Sequence, residues 1–312
     1  MAPRPIIIDS DPGTDDAIAI WLALASPELE LLGVTTVAGN VPLALTAKNA
    51  RKVCELAGRA EVKVFAGCSR PLLRSLVTAE SFHGHDGLGH APLPEPTLPL
   101  QPAHAVDWLV DTLMAAGEAG VTLCPIGPLT NLALAIVKEP RILPKIREIV
   151  LMGGGFFAGG NTTPAAEFNI HVDPHAAQVV FTSGVPLTMM PLDVTHKALM
   201  TPARIAAVRA LATPVAEAAA AMMAAYGAHD AEKYAREGGP LHDPCVIAYL
   251  LEPGIFGGRD CHVQIETASE ATLGMTVVDW WGVSGRPANC RVIDEIDADR
   301  FFALLTERLA RL

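Results

Sequence analysis

Short apolar runs alternate with longer amphipathic segments along most of the chain. The first apolar run, residues 5–8, predicts a buried strand, and Pro12-Gly13 predicts a tight turn before a helix with Thr14 as its N-cap. The same order of strand and helix repeats as far as a strand at residues 187–190. Because strands that are apolar throughout are typical of buried parallel sheets, we predict an α/β fold with an open, mainly parallel sheet covered by helices on both faces.

Residues 201–251 break this alternation with an alanine-rich stretch whose pattern predicts mostly helix. We expect this stretch to form a helical subregion packed over the sheet. Beyond it the pattern returns to short strands and ends in a helix at residues 298–309. The chain has 312 residues, 50% of them hydrophobic, and contains no low-complexity linker. We therefore expect a single domain over residues 1–312.

The formal net charge of -11 argues against a nucleic-acid partner, because neutralising phosphates requires clustered lysine and arginine. No apolar run reaches the roughly 18 residues of a membrane span, and the amino terminus lacks the features of a secretory signal. We therefore expect a cytoplasmic protein with no membrane partner. The six cysteines are scattered and form no C-x-x-C pair, which is typical of small buried side chains.

Four aspartates, Asp9, Asp11, Asp15 and Asp16, lie between the first predicted strand and the first predicted helix. Ligands of open parallel sheets bind beyond the carboxyl ends of the strands, so these carboxylates occupy the expected position of a functional site. A helix macrodipole stabilises a nearby anion by only about 0.3–1 kcal/mol, which is too little for four carboxylates. A hard divalent cation is the simplest counter-charge. Alternatively, Asp9 caps the turn while Asp15 and Asp16 are ordinary acids of the first helical turn.

Glu167 and Asn169 stand two positions apart between apolar residues. In extended chain two such side chains point to the same side. An ionised carboxylate accepts hydrogen bonds, whereas an amide both donates and accepts them, so the pair suits the vicinal hydroxyls of a sugar. A surface turn is the alternative interpretation of the same residues.

His242-Asp243-Pro244 precedes an apolar helix in which Asp243 is expected at the N-cap and Pro244 at the first helical position. An N-cap aspartate keeps one oxygen free for a metal, so the two roles are compatible. His242 is then either a functional neighbour of a metal ligand or a structural histidine. The glycine-rich segment His83–Gly89 predicts a mobile loop, which is either a lid or a polar loop without function.

The segment Asp9–Asp16 closely resembles the amino-terminal signature of the nucleoside hydrolases, usually D-T-D-P-G-x-D-D. Later segments are similar to further motifs of that family, in the same order and over nearly the whole chain. They are Val37–Asn40, Gly127–Asn131, Met152–Gly154, Ala166–Ile170 and His242-Asp243. The resemblance implies an α/β sheet with a small antiparallel part, in an enzyme that hydrolyses ribonucleosides to free base and ribose. It also implies a homodimer or a homotetramer.

The resemblance further implies a tightly held Ca²⁺ at the floor of the pocket. Asp11, Asp16 and Asp243 would bind it through their side chains, and Ile126 through its backbone carbonyl. Asp11 would also be the general base for a Ca²⁺-bound water that attacks the anomeric carbon, and His242 the general acid for the departing base. The residues implied to contact the substrate are Asp15, Asn40, His83, Met152, Asn161, Glu167, Phe168 and Asn169.

The sequence leaves two other functions open. Asp9-Ser10-Asp11 fits the D-x-D motif of Mg²⁺-dependent phosphatases of the haloacid dehalogenase type, although the pair Asp15-Asp16 fits that family poorly. A non-catalytic calcium- or nucleoside-binding protein would carry the same residues without turnover. The preference for purine or pyrimidine is open as well, because Tyr226, Tyr234 and Trp281 could stack on a base or simply pack in the core.

Overall fold

The computed structural model of the protein describes residues 2–234 and 238–312, without the side chains of residues 227–234. A ten-stranded sheet forms the centre of this part of the chain. Its strands are β1 (Arg4–Ser10), β2 (Leu29–Thr36), β3 (Val64–Ala66), β4 (Leu100–Gln101), β5 (Val121–Pro125), β6 (Ile146–Met152), β7 (Leu187–Met190), β8 (Phe256–Ile265), β9 (Thr276–Asp279) and β10 (Cys290–Ile296).

The strands lie in the order β4-β3-β2-β1-β5-β6-β7-β10-β8-β9. All pairs from β4 to β10 in that order are parallel. Only the pairs of β10 with β8 and of β8 with β9 are antiparallel. The predicted α/β fold is confirmed, including the small antiparallel part that the resemblance implied.

The central strand β1 shows why the sheet is apolar on both faces. Ile6 and Ile8 pack into one hydrophobic core, whereas Ile7 between them packs into the core on the opposite face. All three side chains are buried, and each such burial stabilises the fold by about 1.5–3 kcal/mol. The continuous apolar run in the sequence is therefore the expected pattern of a strand covered on both sides.

Helices cover both faces of the sheet in the described part of the chain. They are α1 (Thr14–Leu24), α2 (Leu43–Leu56), α3 (Glu80–His83), α4 (Ala105–Ala115), α5 (Thr130–Lys138), α6 (Phe168–Val172), α7 (Pro174–Phe181), α8 (Leu192–Thr195), α9 (Pro202–Arg209), α10 (Pro214–Tyr234), α11 (Pro244–Leu251) and α12 (Ala298–Leu309). Helix α1 is buried along its whole length against α10 and α11, and α4, α5 and α7 contribute to the core on the opposite face. No described helix is both long enough and apolar enough to cross a lipid bilayer.

The predicted helices of residues 201–251 correspond to α9, α10 and α11. The chain segments before α9 and before α11 pair through an antiparallel bridge between Leu199 and Pro240. This bridge holds the segment that follows β7 beside the start of α11, at the edge of the sheet where the parallel strands end.

Two local predictions are wrong. Gly13, not Thr14, is the N-cap of α1, and the carboxylate of Asp16 accepts its backbone N–H at 2.9 Å. The segment around Glu167 and Asn169 is not extended, because α6 begins at Phe168 and Glu167 is its N-cap. The carboxylate of Glu167 satisfies unpaired N–H groups at the start of this helix, a role that an extended segment does not provide.

Candidate active site

The turn after β1 directs two carboxylates toward the carboxyl end of the sheet. Asp16 is anchored by three donors, the hydroxyl of Ser10 at 2.6 Å, the N–H of Gly13 at 2.9 Å and the amide of Asn40 at 3.1 Å. Asp15 lies beside it in the first turn of α1 and is also buried. Helix α1 therefore presents both acids from a rigid, fully packed element.

Asp243 brings a carboxylate from the other end of the chain to the same place. It is the N-cap of α11, as predicted, yet its side chain makes no capping hydrogen bond. Instead, Asp15, Asp16 and Asp243 each offer an oxygen, and these oxygens all lie within 4.8 Å of one another. We call these three residues the acidic trio.

Asp11 is fully buried next to the acidic trio. Its Oδ2 accepts the backbone N–H of Asn40 at 2.6 Å, whereas its Oδ1 has no hydrogen-bond partner among the described residues. Gly39 and Gly127 allow two loops to close around this carboxylate. A Cβ at Gly39 would lie 2.0 Å from Oδ2, and one at Gly127 would lie 2.4 Å from Oδ1.

The carboxylates of this cluster resist ionisation while no cation balances them. Burial raises the pKa of Asp15 to about 7, with a further contribution from the charge of Asp16. Burial, together with the charges of the neighbouring aspartates, raises the pKa values of Asp11 and Asp243 well above the ordinary range. Burial also raises the pKa of Asp16. A bound cation would remove this penalty.

The chemistry of the donors fits a hard divalent cation. The acidic trio and Oδ1 of Asp11 offer carboxylate oxygens, and Ile126 lines the same pocket. Oxygen donors of this kind are typical of calcium and magnesium sites, whereas zinc sites use histidine and cysteine. The residues present therefore suit the cation that the resemblance implies.

A pocket opens above the acidic trio at the carboxyl end of the sheet. Eleven of the thirteen predicted site residues line it, and the other two, Asp11 and Asp16, are fully buried beside it. The predicted residues that line it are Asp15, Asn40, His83, Ile126, Met152, Asn161, Glu167, Phe168, Asn169, His242 and Asp243.

Glu167 and Asn169 form one wall of this pocket through a shared network. The Glu167 carboxylate accepts backbone N–H groups from Asn169 at 2.9 Å, Gly154 at 2.9 Å and Ile170 at 3.3 Å. The Asn169 amide nitrogen donates to the carbonyls of Ile126 at 3.0 Å and Met152 at 3.2 Å. Burial raises the pKa of Glu167 to about 7 despite these donors. The two side chains are thus fixed across the ends of β5 and β6.

Two buried histidines, His83 and His242, also line the pocket. The backbone N–H of Thr14 donates to Nδ1 of His83 at 3.3 Å, and the hydroxyl of Thr195 contacts Nδ1 of His242 at 2.7 Å. The ring of Tyr226 lies between them, with centroid distances of 5.6 Å to His83 and 6.1 Å to His242. Burial lowers the pKa of His83 to about 4 and that of His242 well below its usual range.

Some residues that the sequence offered as candidates for the site lie outside the acidic trio and the pocket. Asp9 takes no part in the acidic trio, because its Oδ1 accepts from Thr35 at 2.6 Å and Asn131 at 2.8 Å. Trp281 is 73% exposed and does not line the pocket. The side chain of Tyr234 lies outside the described residues.

The pocket also contains residues that the sequence did not single out, namely Thr78, Ala79, Phe82, Thr162 and His196. Behind it, Asp173 anchors neighbouring loops by accepting from Leu72 N at 2.8 Å and Thr130 Oγ1 at 2.8 Å. None of these residues belongs to a recognisable motif. Only the position of Asp173 directly before a predicted helix, as a possible N-cap, could have drawn attention to one of them.

The chain is similar to known proteins over almost its whole length. Residues 6–303 match the family model described as inosine-uridine preferring nucleoside hydrolase. An uncharacterized protein of Schizosaccharomyces pombe is 52% identical, with 98% of this chain and 99% of that protein covered. A pyrimidine-specific ribonucleoside hydrolase of Photobacterium profundum is 48% identical at the same coverage. A solved structure, a purine-preferring ribonucleoside hydrolase from Gardnerella vaginalis, has a TM-score of 0.92 at 33% identity, with 98% of each chain covered.

Proposed function

Because the chain belongs to the inosine-uridine preferring nucleoside hydrolase family, we propose that it hydrolyses the N-glycosidic bond of ribonucleosides with Ca²⁺ as its cofactor. The family supports the class of reaction and gives no support to the phosphatase alternative. One observation carries the proposed metal and site, namely that the acidic trio meets beside a pocket lined by Glu167, Asn169 and His242.

Hydrolysis of a ribosyl C–N bond passes through an oxocarbenium-like sugar, so it requires an activated water, a stabilised positive charge and a protonated base. Asp11, Asp16 and Asp243 would hold the cation together with the carbonyl of Ile126. Bound there, Ca²⁺ supplies Lewis acidity toward oxygen and balances the buried negative charge. Asp11 accepts the proton of the attacking water, because its Oδ1 is buried and free of other hydrogen bonds among the described residues.

The ribose is held by the polar wall of the pocket and by the first turn of α1. Glu167 is fixed by three backbone donors, so its carboxylate is preorganised to accept from a sugar hydroxyl. The nitrogen of Asn169 is committed to two carbonyls, which leaves its oxygen for a hydroxyl donor. The remaining substrate contacts are assigned to Asp15, Asn40, Met152, Asn161 and Phe168.

The nucleobase is assigned to the wall that carries His83, Tyr226 and His242. A departing base needs a proton or a strong hydrogen bond on its nitrogen, and His242 is proposed to provide it. His83 is proposed to donate a hydrogen bond to the base, because its Nδ1 already accepts from the backbone of Thr14. We assign packing against the base to Tyr226, whose ring lies near both histidines.

We propose pyrimidine ribonucleosides as the better substrates. The support is the relative of Photobacterium profundum, which is described as pyrimidine-specific and is 48% identical, whereas the purine-preferring structure is 33% identical. The homodimer or homotetramer that the resemblance implies stays a prediction.

The proposal is tested by incubating calcium-loaded and calcium-free protein with uridine, cytidine, inosine and adenosine, and by measuring the release of reducing sugar. We expect hydrolysis that requires calcium and is faster on the pyrimidine nucleosides. The variant Asp11→Ala should lose both activity and bound calcium, because it removes the buried carboxylate that would be both a ligand of the cation and the general base.

Asp111→Ala is the matched control, because Asp111 is exposed on α4 and does not line the pocket. It should retain calcium and activity. Normal hydrolysis by Asp11→Ala with full calcium content would refute the assignment of this residue. Metal binding without turnover by the unmodified protein would instead support a non-catalytic binding protein.

A further inference from the structure

The hydroxyl of Thr195 holds the imidazole of His242 from within the protein. Thr195 Oγ1 and His242 Nδ1 are 2.7 Å apart, although the residues are 47 positions apart in the chain. Thr195 is fully buried and does not line the pocket, whereas His242 does. The contact therefore occupies one ring nitrogen from behind and leaves Nε2 for the ligand side.

The element that carries Thr195 is fixed from two directions. Thr195 ends the short helix α8, whose first N–H, from Leu192, donates to the carbonyl of Gly154 at 2.9 Å. The carboxylate of Asp193 accepts backbone N–H groups from Phe156 at 2.9 Å and from Ala158 at 2.8 Å. These bonds attach α8 to the loop after β6, so the position of the hydroxyl is set by the scaffold.

The segment that carries His242 is attached to the same scaffold. The N–H of Leu241 donates to the carbonyl of Ala198 at 2.9 Å, and the N–H of Met200 donates to the carbonyl of Gly239 at 2.8 Å. The hydroxyl and the imidazole are therefore brought together by two segments whose backbones are hydrogen-bonded to each other. Such a contact is preorganised rather than dependent on the ligand.

A threonine hydroxyl suits this position because it both donates and accepts. The hydroxyl donates when Nδ1 carries no proton and accepts when Nδ1 carries one, so the contact is kept in either case. The hydrogen bond at Nδ1 thus fixes which way the ring faces and turns Nε2 to the opposite side.

We infer that Thr195 is a positioning residue that holds the ring of His242 with Nε2 facing the leaving nucleobase. The inference rests on the proposed function, because it assumes that His242 assists departure of the base. The inference predicts that loss of the hydroxyl affects some substrates and not others. Loss of the hydroxyl impairs substrates whose leaving group needs a proton, and spares substrates whose leaving group does not.

The test compares Thr195→Val, which keeps the shape but removes the hydroxyl, with Thr195→Ser, which keeps the hydroxyl. Each is assayed with uridine and with p-nitrophenyl riboside, whose phenolate leaves without protonation. General acid assistance contributes roughly 10²–10⁴ in rate, so kcat of Thr195→Val on uridine should fall at least about tenfold. For Thr195→Val, we expect changes of less than about threefold in kcat on p-nitrophenyl riboside and in KM for uridine. For Thr195→Ser, we expect changes of less than about threefold in kcat on both substrates.

Thr122→Val is the matched control, because Thr122 is a buried threonine of β5 that does not line the pocket. Equal losses on both substrates would overturn the inference, because a distorted pocket would explain them. Unchanged hydrolysis of uridine by Thr195→Val would overturn it as well. If the unmodified protein hydrolyses neither substrate, the proposed function itself fails, and that result is separate from the comparison of variants.

Discussion

At the scale of single residues, the pocket contains two buried histidines whose rings are held from one side. Burial lowers the pKa values of His83 and His242 and so favours the uncharged imidazole in the free protein. A neutral imidazole has one donor and one acceptor nitrogen, and in each residue Nδ1 already has a partner behind the pocket wall. Under the proposed function, Nε2 of each ring is the nitrogen that would contact the base.

Replacement of His242 by alanine tests the proposed proton donor directly. We expect the turnover of inosine to fall at least about tenfold, because general acids contribute roughly 10²–10⁴ in rate. The KM should change less, since the lost interaction is strongest in the transition state. Steady-state kinetics on purified His242→Ala measure both constants.

His85→Ala is a suitable control for that measurement. His85 is an exposed histidine that does not line the pocket, so its removal should leave turnover unchanged. Unchanged turnover in His242→Ala as well would exclude this residue as the acid.

Only some of the residues at the site could be predicted from the sequence. The resemblance implies that Asp11, Asp16 and Asp243 converge, and the structure brings Asp16 and Asp243 together with Asp15, with Asp11 buried next to them. The pattern of strands and helices alone places only the acids after β1 at the carboxyl edge of the sheet. Thr195 gave no signal, because a lone threonine distant in the chain is recognisable only once the fold brings it to His242. The exposed position of Trp281 was equally invisible to an argument from residue type.

At the scale of elements, the acidic site depends on loops that approach one carboxylate closely. Gly39 follows β2 and Gly127 follows β5, the two strands that flank β1. Both loops come so near to Asp11 that a Cβ would overlap its oxygens. The glycines are required here by the close approach, which is a constraint that the sequence motif alone does not explain.

The variant Gly127→Ala should therefore weaken the metal site. Its Cβ would lie 2.4 Å from Oδ1 and 2.9 Å from the backbone nitrogen of Asp11, so either the carboxylate or the strand end must move. Displacement of a ligand group by about 1 Å can reduce activity by roughly two orders of magnitude. We expect at least a tenfold weaker calcium affinity, measured by isothermal titration calorimetry.

Gly117→Ala makes the same chemical change where a Cβ would meet nothing within 4 Å. It should keep the calcium affinity of the unmodified protein. The same affinity in both variants would show that the loop after β5 yields easily and that Asp11 does not depend on it.

The elements themselves were largely predictable, and the exceptions have a common cause. The apolar pattern predicted β7 and α12 with their observed bounds. It failed at residues 165–169, where α6 is only five residues long and begins at a glutamate that serves as its N-cap. A helix this short has no periodicity to detect, so its presence depends on tertiary contacts such as the carbonyl of Ile126 held by Asn169.

At the scale of the whole molecule, the acidic trio joins the start and the end of the chain. Asp15 and Asp16 lie on α1, and Asp243 begins α11, which packs against α1. The trio is buried, so without a cation its mutual repulsion opposes this packing. Occupation of the site should therefore stabilise the entire fold and not only the pocket.

The raised pKa values give this coupling a definite dependence on pH. An acid whose pKa is higher in the folded state stabilises the fold below its unfolded value, and this contribution is lost as the pH rises through the folded value. For Asp15 the range runs from about 3.8 to about 7, and the raised pKa values of Asp11, Asp16 and Asp243 act in the same direction. Calcium competes with these protons, so it should bind more weakly at low pH.

Thermal unfolding of calcium-free protein with and without added millimolar calcium, at about pH 5 and about pH 8, tests this coupling. The carboxylates that would hold the cation, Asp11, Asp16 and Asp243, have raised pKa values and must lose their protons before calcium binds. The gain in Tm from calcium should therefore be larger at pH 8 than at pH 5. Asp243→Asn should show a smaller gain at pH 8. Equal gains at both pH values would show that the cation binds elsewhere, because only a site built from these buried acids competes with their protons in this range.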